Sequence, residues 1–430
     1  MQSIHFIGIG GVGMSALAQS FIDQGWHVSG SDRLLGLGRF APVLDTLRQQ
    51  GVQLFPQDGS AISAQTGTVV YSTAIEQDNP DFVRAKSLGL NLCHRSEVLA
   101  KLSEGHTLIA VTGTCGKSSV TALLGHLLTV CGADPCIING AEMTGYDADG
   151  TRVGSVRTSS DPKGWMVVEA DESDKSLMVL SPAHIIITNA SGDHFPKEEA
   201  ICLFDAFKSK ASGVVIDSRE EPPETFSPDG LWESVFQWRG RSWMLPMPGA
   251  HNIANAKAAL SMALALGFDA EKLNHALATF RGIRRRLERV GTCHGAMVVD
   301  DYAHNIEKLS AAWTTLSAVC PQGVYGVWRP HGYAPLRKML EGLVAMFNAT
   351  VRPCDKLFLL PVYDDGGTAD RSINSEVLFS RLTCPVEQVA DLSVAEERLR
   401  AVARPGTMLA LFGARDHGLS ALATRLVKDA

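Results

Sequence analysis

No apolar run in the chain approaches the ~20 residues of a membrane-crossing helix, so nothing in it points to a membrane. Cysteine is sparse and unpatterned. The nine cysteines are odd in number and form no CxxC pair, which speaks for reduced thiols in a cytoplasm rather than a disulfide frame or a zinc site. Basic charge is not in excess either. With a net charge of −7 and a pI of about 6.0 nothing suggests a nucleic-acid surface, and the dense run Arg284-Arg285-Arg286 is short. Repeats and low-complexity tracts are missing. The first residues read directly as a strand, so no leader is expected. What remains is ordinary globular composition, 45% hydrophobic and 20% charged over 430 residues, enough for two to four domains with ample cores.

Against that background one segment stands out. The apolar run Leu108-Ile109-Ala110-Val111 ends in Thr112-Gly113-Thr114-Cys115-Gly116-Lys117-Ser118-Ser119, and Val120 to Leu124 then reads as helix. A strand, a glycine turn and a helix beginning with Lys and Ser is the layout of a phosphate-cradling loop. Gly113 and Gly116 let backbone N–H groups curl inward, and the helix dipole adds its positive end. Lys117 suits the outer phosphates and the Ser118 hydroxyl suits Mg²⁺. The usual pattern has a further Gly where this chain has Val111.

A second glycine loop opens the chain. Ile4 to Ile7 reads as a strand, Gly8-Ile9-Gly10-Gly11-Val12-Gly13 matches G-x-G-x-x-G, and Met14 to Phe21 reads as helix. His27 to Asp32 reads as the next strand, with Asp32 at its end. Such glycines admit a diphosphate, and the acid takes a ribose hydroxyl. On these residues alone, an NAD-dependent oxidoreductase and a UDP-type diphosphate binder are both open.

Further short apolar strands at Gln53–Phe55, Thr68–Tyr71, Met166–Val168, His184–Thr188, Ala296–Val299, Leu357–Leu360 and Met408–Phe412 alternate with helical stretches. This pattern predicts an α/β chain with mostly parallel sheets covered on both faces. Three domains are expected: a Rossmann-like one over 1–104, a central phosphate-loop ATPase domain over 105–290, and a Rossmann-like one over 291–430. The segment 218–230 reads as an exposed loop. Glu169-Ala170-Asp171-Glu172-Ser173-Asp174 follows a strand, and acids at a parallel strand's carboxyl end lie near a ligand crevice. Glu169 is a candidate Mg²⁺ ligand, whereas Asp174 by itself reads as an exposed acid. His194 follows the next strand. Asn252 and Asn255 share one helix face.

Taken in order along the chain, these blocks resemble the Mur ligases. They are the Gly8–Gly13 loop running on as Met14-Ser15-Ala16-Leu17-Ala18, the Gly113–Ser118 loop, Glu169–Asp174, Asp193-His194, His251-Asn252 with Asn255, Phe280-Arg281-Gly282 with Arg285-Arg286, Asp300-Asp301-Tyr302-Ala303-His304, and Pro330-His331. The resemblance implies ATP-dependent joining of an amino acid or peptide to the carboxylate of UDP-N-acetylmuramate, with Mg²⁺ as cofactor. It implies catalytic roles for Lys117, Glu169 and His194. Gly113, Thr114, Gly116, Lys117, Ser118, Ser119, Asn252, Asn255, Arg286, Asp301 and His304 would bind ATP, and Ser118, Glu169 and His194 would ligate metal. Gly8, Gly10, Gly11, Gly13, Met14, Ser15, Asp32 and Ser72 would bind the UDP-sugar, and His331 and Arg337 the amino acid. L-alanine is the implied amine, with another amine or a tripeptide as the alternative. A cytoplasmic monomer or homodimer is implied, with small-molecule partners only.

The chain departs from the family pattern at named places. Cys115 stands where the alanine-adding members carry His, Asn305-Ile306 follows His304 in place of a second His and a Pro, and the arginine after Pro330-His331 is delayed to Arg337. The stretch from His194 to Gly249 is short for the family. A thiol at a helix N-terminus is open to alkylation. Alkylating Cys115 is therefore expected to inhibit, and ATP to protect; modification at the same rate with and without ATP would place Cys115 away from the nucleotide.

Overall fold

A computed structural model describes residues 2–36, 41–146, 150–191, 195–222, 224, 232–364 and 370–428. The chain divides into two compact units, one made of 1–223 with 254–281 and the other of 224–253 with 282–430. Among the described residues no helix is long and apolar enough to cross a membrane.

The first unit holds two sheets. Strands β1 (Ser3–Ile7), β2 (His27–Ser31), β3 (Gln53–Phe55), β4 (Thr68–Tyr71) and β5 (Leu92–His94) form a parallel sheet in the order β3-β2-β1-β4-β5. Strand periodicity sends Ile4 and Phe6 into one core and Ile7 into the opposite one with Val69 and Phe82, so β1 is covered on both faces. The connections leaving β1 and β4 run to opposite sides, and the first glycine loop follows β1 at that switch point.

The second sheet contains β6 (Thr107–Thr112), β7 (Cys136–Ile138), β8 (Val156–Arg157), β9 (Trp165–Glu169), β10 (His184–Ile187) and β11 (Val215–Asp217), ordered β11-β10-β6-β9-β7-β8. All pairings are parallel except β7 with β8. Strand β6 is central and Leu108 to Val111 are buried throughout. One apolar cluster runs from Ile4 and Phe6 through Leu108 and Val168 to Phe204 and Phe207, so the two sheets share a core.

The second unit contains the antiparallel hairpin β12 (Ser234–Trp238) and β13 (Arg241–Leu245). It also holds a third sheet, β14 (Glu288–Cys293), β15 (Ala296–Asp301), β16 (Val324–Trp328), β17 (Lys356–Leu359), β18 (Val386–Gln388) and β19 (Met408–Phe412), ordered β14-β15-β19-β16-β17-β18. Only β14 runs antiparallel to its neighbour in this sheet. Helices Ile306–Val319 and Tyr333–Thr350 cover one face, and Leu392–Val402 and His417–Lys428 the other. The α/β class with mostly parallel, doubly covered sheets is as the sequence predicts. Most of the 218–230 segment lies outside the described residues.

Core packing in the third sheet leaves no slack at Gly326. A Cβ there would lie 2.4 Å from a Trp313 ring carbon and 3.1 Å from one of Phe412, two rings stacked 5.6 Å apart. Gly326→Ala is expected to cost about 1–3 kcal/mol by overpacking. The measurement is a denaturant melt, read as a lower midpoint at constant slope; an unmoved midpoint would mean that the rings yield.

Candidate active site

The phosphate-type loop joins β6 to the helix Lys117–Val130. Gly113 takes φ 131° and Gly116 φ 86°, both in the left-handed region that glycine adopts at least cost. Space forbids a side chain as firmly as torsion does. A Cβ on Gly113 would sit 2.1 Å from Thr188 Oγ1, and one on Gly116 would sit 2.4 Å from Asn255 Oδ1. Asn255 thus lies against the loop.

Residues leaving β10 fasten the loop. Asn189 Oδ1 accepts from Cys115 N at 2.9 Å while its Nδ2 donates to Cys115 O at 2.9 Å. Thr188 Oγ1 donates to the same carbonyl at 2.6 Å. The Thr114 hydroxyl donates to Ser191 O at 3.2 Å and accepts from Ser191 N at 3.0 Å. Ser118 and Ser119 are buried in the first helical turn, which has no side-chain cap competing for its N–H groups.

Lys117 curls back over its own loop. Its ammonium donates to Gly113 O at 2.9 Å and Thr114 O at 3.4 Å and lies 2.6 Å from Glu172 Oε2. Burial works against this charge, but the carboxylates of Glu172, Glu169 and Asp171 outweigh it and raise the lysine's pKa. Lys117 is therefore a fixed cation. Glu169 ends β9 in register with Val111 at the end of β6, which places it at the loop's edge of the sheet. Gly140 N donates to Glu169 Oε2 at 2.7 Å, and a Cβ on Gly140 would come within 2.4 Å of that oxygen. The carboxylate is held by one oxygen in a cradle that only glycine leaves open.

The first glycine loop spends most of its amides internally. Gly8 N and Ile9 N donate to Ser31 O, Gly11 N to Gly8 O, and Gly10 N to Asp32 Oδ2 at 2.9 Å. Asp32 also accepts from Leu34 N at 3.0 Å, so its carboxylate braces the loop. Met14 and Ser15 are buried in the helix Val12–Asp23, the Ser15 hydroxyl donating to Val12 O. Ser72 is half-buried just past β4. The helix itself begins with no side-chain cap and no acid in its first turn, an open anion site. Arg95 Nη1 lies 3.0 Å from where a Gly13 Cβ would be.

Arg95 also reaches the acidic segment after β9, with Nη2 3.2 Å from Asp171 and 3.7 Å from Asp174. Thr73 Oγ1 donates to Asp174 Oδ2 at 2.7 Å. Asp174 is thus not the exposed acid the sequence suggests; its side chain ties the acidic segment to the first sheet. Sequence reading missed Glu172, Asn189 and Arg95. The Glu169–Asp174 acids were visible as a block, but their pairing across elements was not, and Arg95 follows a strand of only three residues, Leu92–His94, that leaves no apolar run in the sequence.

Of the remaining predicted residues, His194 lies outside the described residues. In the second unit, Asn252 Nδ2 donates to Pro248 O at 2.7 Å. Asp301 accepts from Leu287 N and Ala303 N, both at 2.7 Å, and burial raises its pKa. Arg286 stacks 5.3 Å over Tyr302. His304 and His331 meet edge to face at 4.9 Å, bringing together a residue expected at ATP and one expected at the amino acid. Arg337 is exposed on its helix and pairs with Ser372 and Asp370. Asn305 caps the helix Ile306–Val319 by accepting from Lys308 N.

Removing the Asn189 amide deletes both of its hydrogen bonds to the Cys115 backbone. At about 0.5–1.5 kcal/mol per bond, Asn189→Ala should weaken nucleotide binding by roughly five- to a hundredfold. Titration with ATP reads this directly, and unchanged affinity would show that the loop holds its shape without the clamp.

The model of the Mur ligase family, catalytic domain, matches residues 3–107, and that of the Mur ligase, glutamate ligase domain, matches residues 285–415. The UDP-N-acetylmuramate–L-alanine ligase of Mycolicibacterium gilvum is 32% identical, over 97% of this chain and 94% of its own. The like-named enzyme of Rhizobium etli is 31% identical, over 96% and 93%. The crystal structure of UDP-N-acetylmuramate-alanine ligase from Thermotoga maritima superimposes with a TM-score of 0.82 at 24% identity, covering 100% of this chain and 99% of that one, a likeness of fold. With identity at this level running nearly end to end, and with a lysine-bearing phosphate loop braced as described, the chain belongs to the Mur ligase family, the ATP-dependent ligases of peptidoglycan synthesis.

Proposed function

We propose that this ligase joins L-alanine to the carboxylate of UDP-N-acetylmuramate through an acyl phosphate. The reading rests on relatives of that name matching almost the whole chain. It also rests on one geometric observation, Lys117 held as a cation against the carbonyls of its own glycine loop.

A carboxylate is a poor acyl donor because oxide is its leaving group. Taking the γ-phosphoryl group of ATP turns that oxygen into phosphate, a good one. Charge on the transferring group must be matched as it develops, and Lys117 with the uncapped helix start supplies fixed positive potential there. The donors present suit Mg²⁺, since Ser118 offers a hydroxyl and Glu169 a carboxylate already oriented by Gly140 N. Ser118, Glu169 and His194 are the residues that would hold it, and the ion would neutralise phosphate charge. The amine then attacks the acyl carbon and phosphate departs. Water must be kept from the acyl phosphate until it does.

In this reading the first glycine loop, the helix Val12–Asp23 and Ser72 hold the UDP-sugar, and Arg95 faces the diphosphate. Asn252, Asn255, Arg286, Asp301 and His304 serve ATP, and His331 and Arg337 serve the amino acid. The domain limits are 1–104, 105–290 and 291–430. The setting is the cytoplasm, and the enzyme works as a monomer or homodimer.

Phosphate release should require ATP, Mg²⁺, UDP-N-acetylmuramate and L-alanine together, in an assay run against a panel of amino acids and short peptides. Release with a different amine or a tripeptide would keep the chemistry and replace L-alanine. Release that ignores the sugar nucleotide would overturn the reading.

A further inference from the structure

Glu172 is a buried charge to which the chemistry above gives no part. Its residue exposure is 2%, and among the described residues neither carboxylate oxygen accepts a hydrogen bond from any other group. Its one close partner is Lys117 Nζ at 2.6 Å. A carboxylate kept in such a place with one partner is costly, and breaking that pair leaves it uncompensated.

Lys117 has a matching constraint. An ammonium has three N–H donors and no acceptor. Three acceptors surround it: Gly113 O at 2.9 Å, Thr114 O at 3.4 Å and Glu172 Oε2 at 2.6 Å. The ammonium is therefore engaged on three sides, by two hydrogen bonds and one ion pair, before a nucleotide arrives. A phosphate oxygen has to displace one of the three. Two are carbonyls of the loop itself, fixed by the Thr188 and Asn189 hydrogen bonds next to them. The carboxylate is the anionic one, and the one carried on a side chain.

We infer that Glu172 is a positioning residue that holds the Lys117 ammonium inside the phosphate loop and competes with the triphosphate for it. It keeps the lysine folded over the loop while the site is empty, and it lowers ATP affinity by the work of separating the pair. With Glu172 neutralised, the Gly113 and Thr114 carbonyls still hold the ammonium but its charge is unmatched, so a polyanion should bind more tightly. The inference does not depend on which amine the enzyme uses.

The test is titration calorimetry of MgATP with wild type and Glu172→Gln, an isosteric and uncharged replacement. The variant is expected to bind ATP at least threefold more tightly and to show a lower KM for ATP in phosphate release. A residue that merely supports the fold would give the opposite or nothing. Equal or weaker ATP binding by a variant that melts like wild type would overturn the inference. Should the Gln variant melt lower, Glu172→Met, of similar length and suited to a buried site, is read by the same criterion.

Discussion

A phosphate site built from backbone must turn several N–H groups toward one point and keep them there without a ligand. Nothing in a free chain favours that, since each amide is better served by a carbonyl. Here the burden falls on two glycines with positive φ and on the residues that leave β10. Thr188 and Asn189 bind the loop's backbone at Thr112, Thr114 and Cys115, and Ser191 binds the Thr114 hydroxyl, so the neighbouring strand fixes the loop's shape. The parallel register of β6 with β10 and β9 sets the same edge for Glu169. The position of Lys117 and its distance from Glu172 both follow from where that loop is pinned.

Charge in the first unit is arranged by the same economy. Two open helix starts, at Val12 and Lys117, present positive ends to anions. Between them lies the acidic segment after β9. Its Glu172 faces Lys117, while Asp171 and Asp174 face Arg95 beside the first loop. Each cation near an anion site thus rests on a carboxylate from one six-residue stretch. Neither cation is left desolvated and unpaired when the sites are empty, which keeps a fold with this much buried charge stable.

Much of this was readable from the chain. Strands such as Leu108–Val111 and His184–Ile187 are continuous apolar runs, and these report sheets covered on both faces. The two glycine loops, Lys117, Ser118 and Glu169 were legible because spacing alone places them at strand ends. What spacing does not carry is which side chain answers which. Asp174 reads as a solvated acid until Thr73, a hundred residues earlier in the chain, is found donating to it. Asn189 carries no signal in the sequence, yet both ends of its amide serve the backbone of one loop residue, Cys115. The β12–β13 hairpin and the antiparallel edges β8 and β14 escaped because strands exposed on one face, or only two residues long like β8, lack the continuous apolar run that marks a buried strand.

The departures from the usual loop pattern make physical sense once the loop's support is known. Val111 replaces a glycine, but it lies within β6, extended, buried, and paired with Ile186 on one side and Glu169 on the other. A β-branched residue suits that setting better than glycine, and no positive φ is asked of it. Cys115 occupies the apex, where Asn189 and Thr188 engage its peptide N–H and carbonyl. Those hydrogen bonds are backbone ones at Cys115, so the loop's shape places little demand on the side chain at that position. The two places where a side chain would be intolerable, Gly113 against Thr188 and Gly116 against Asn255, are the two that remain glycine.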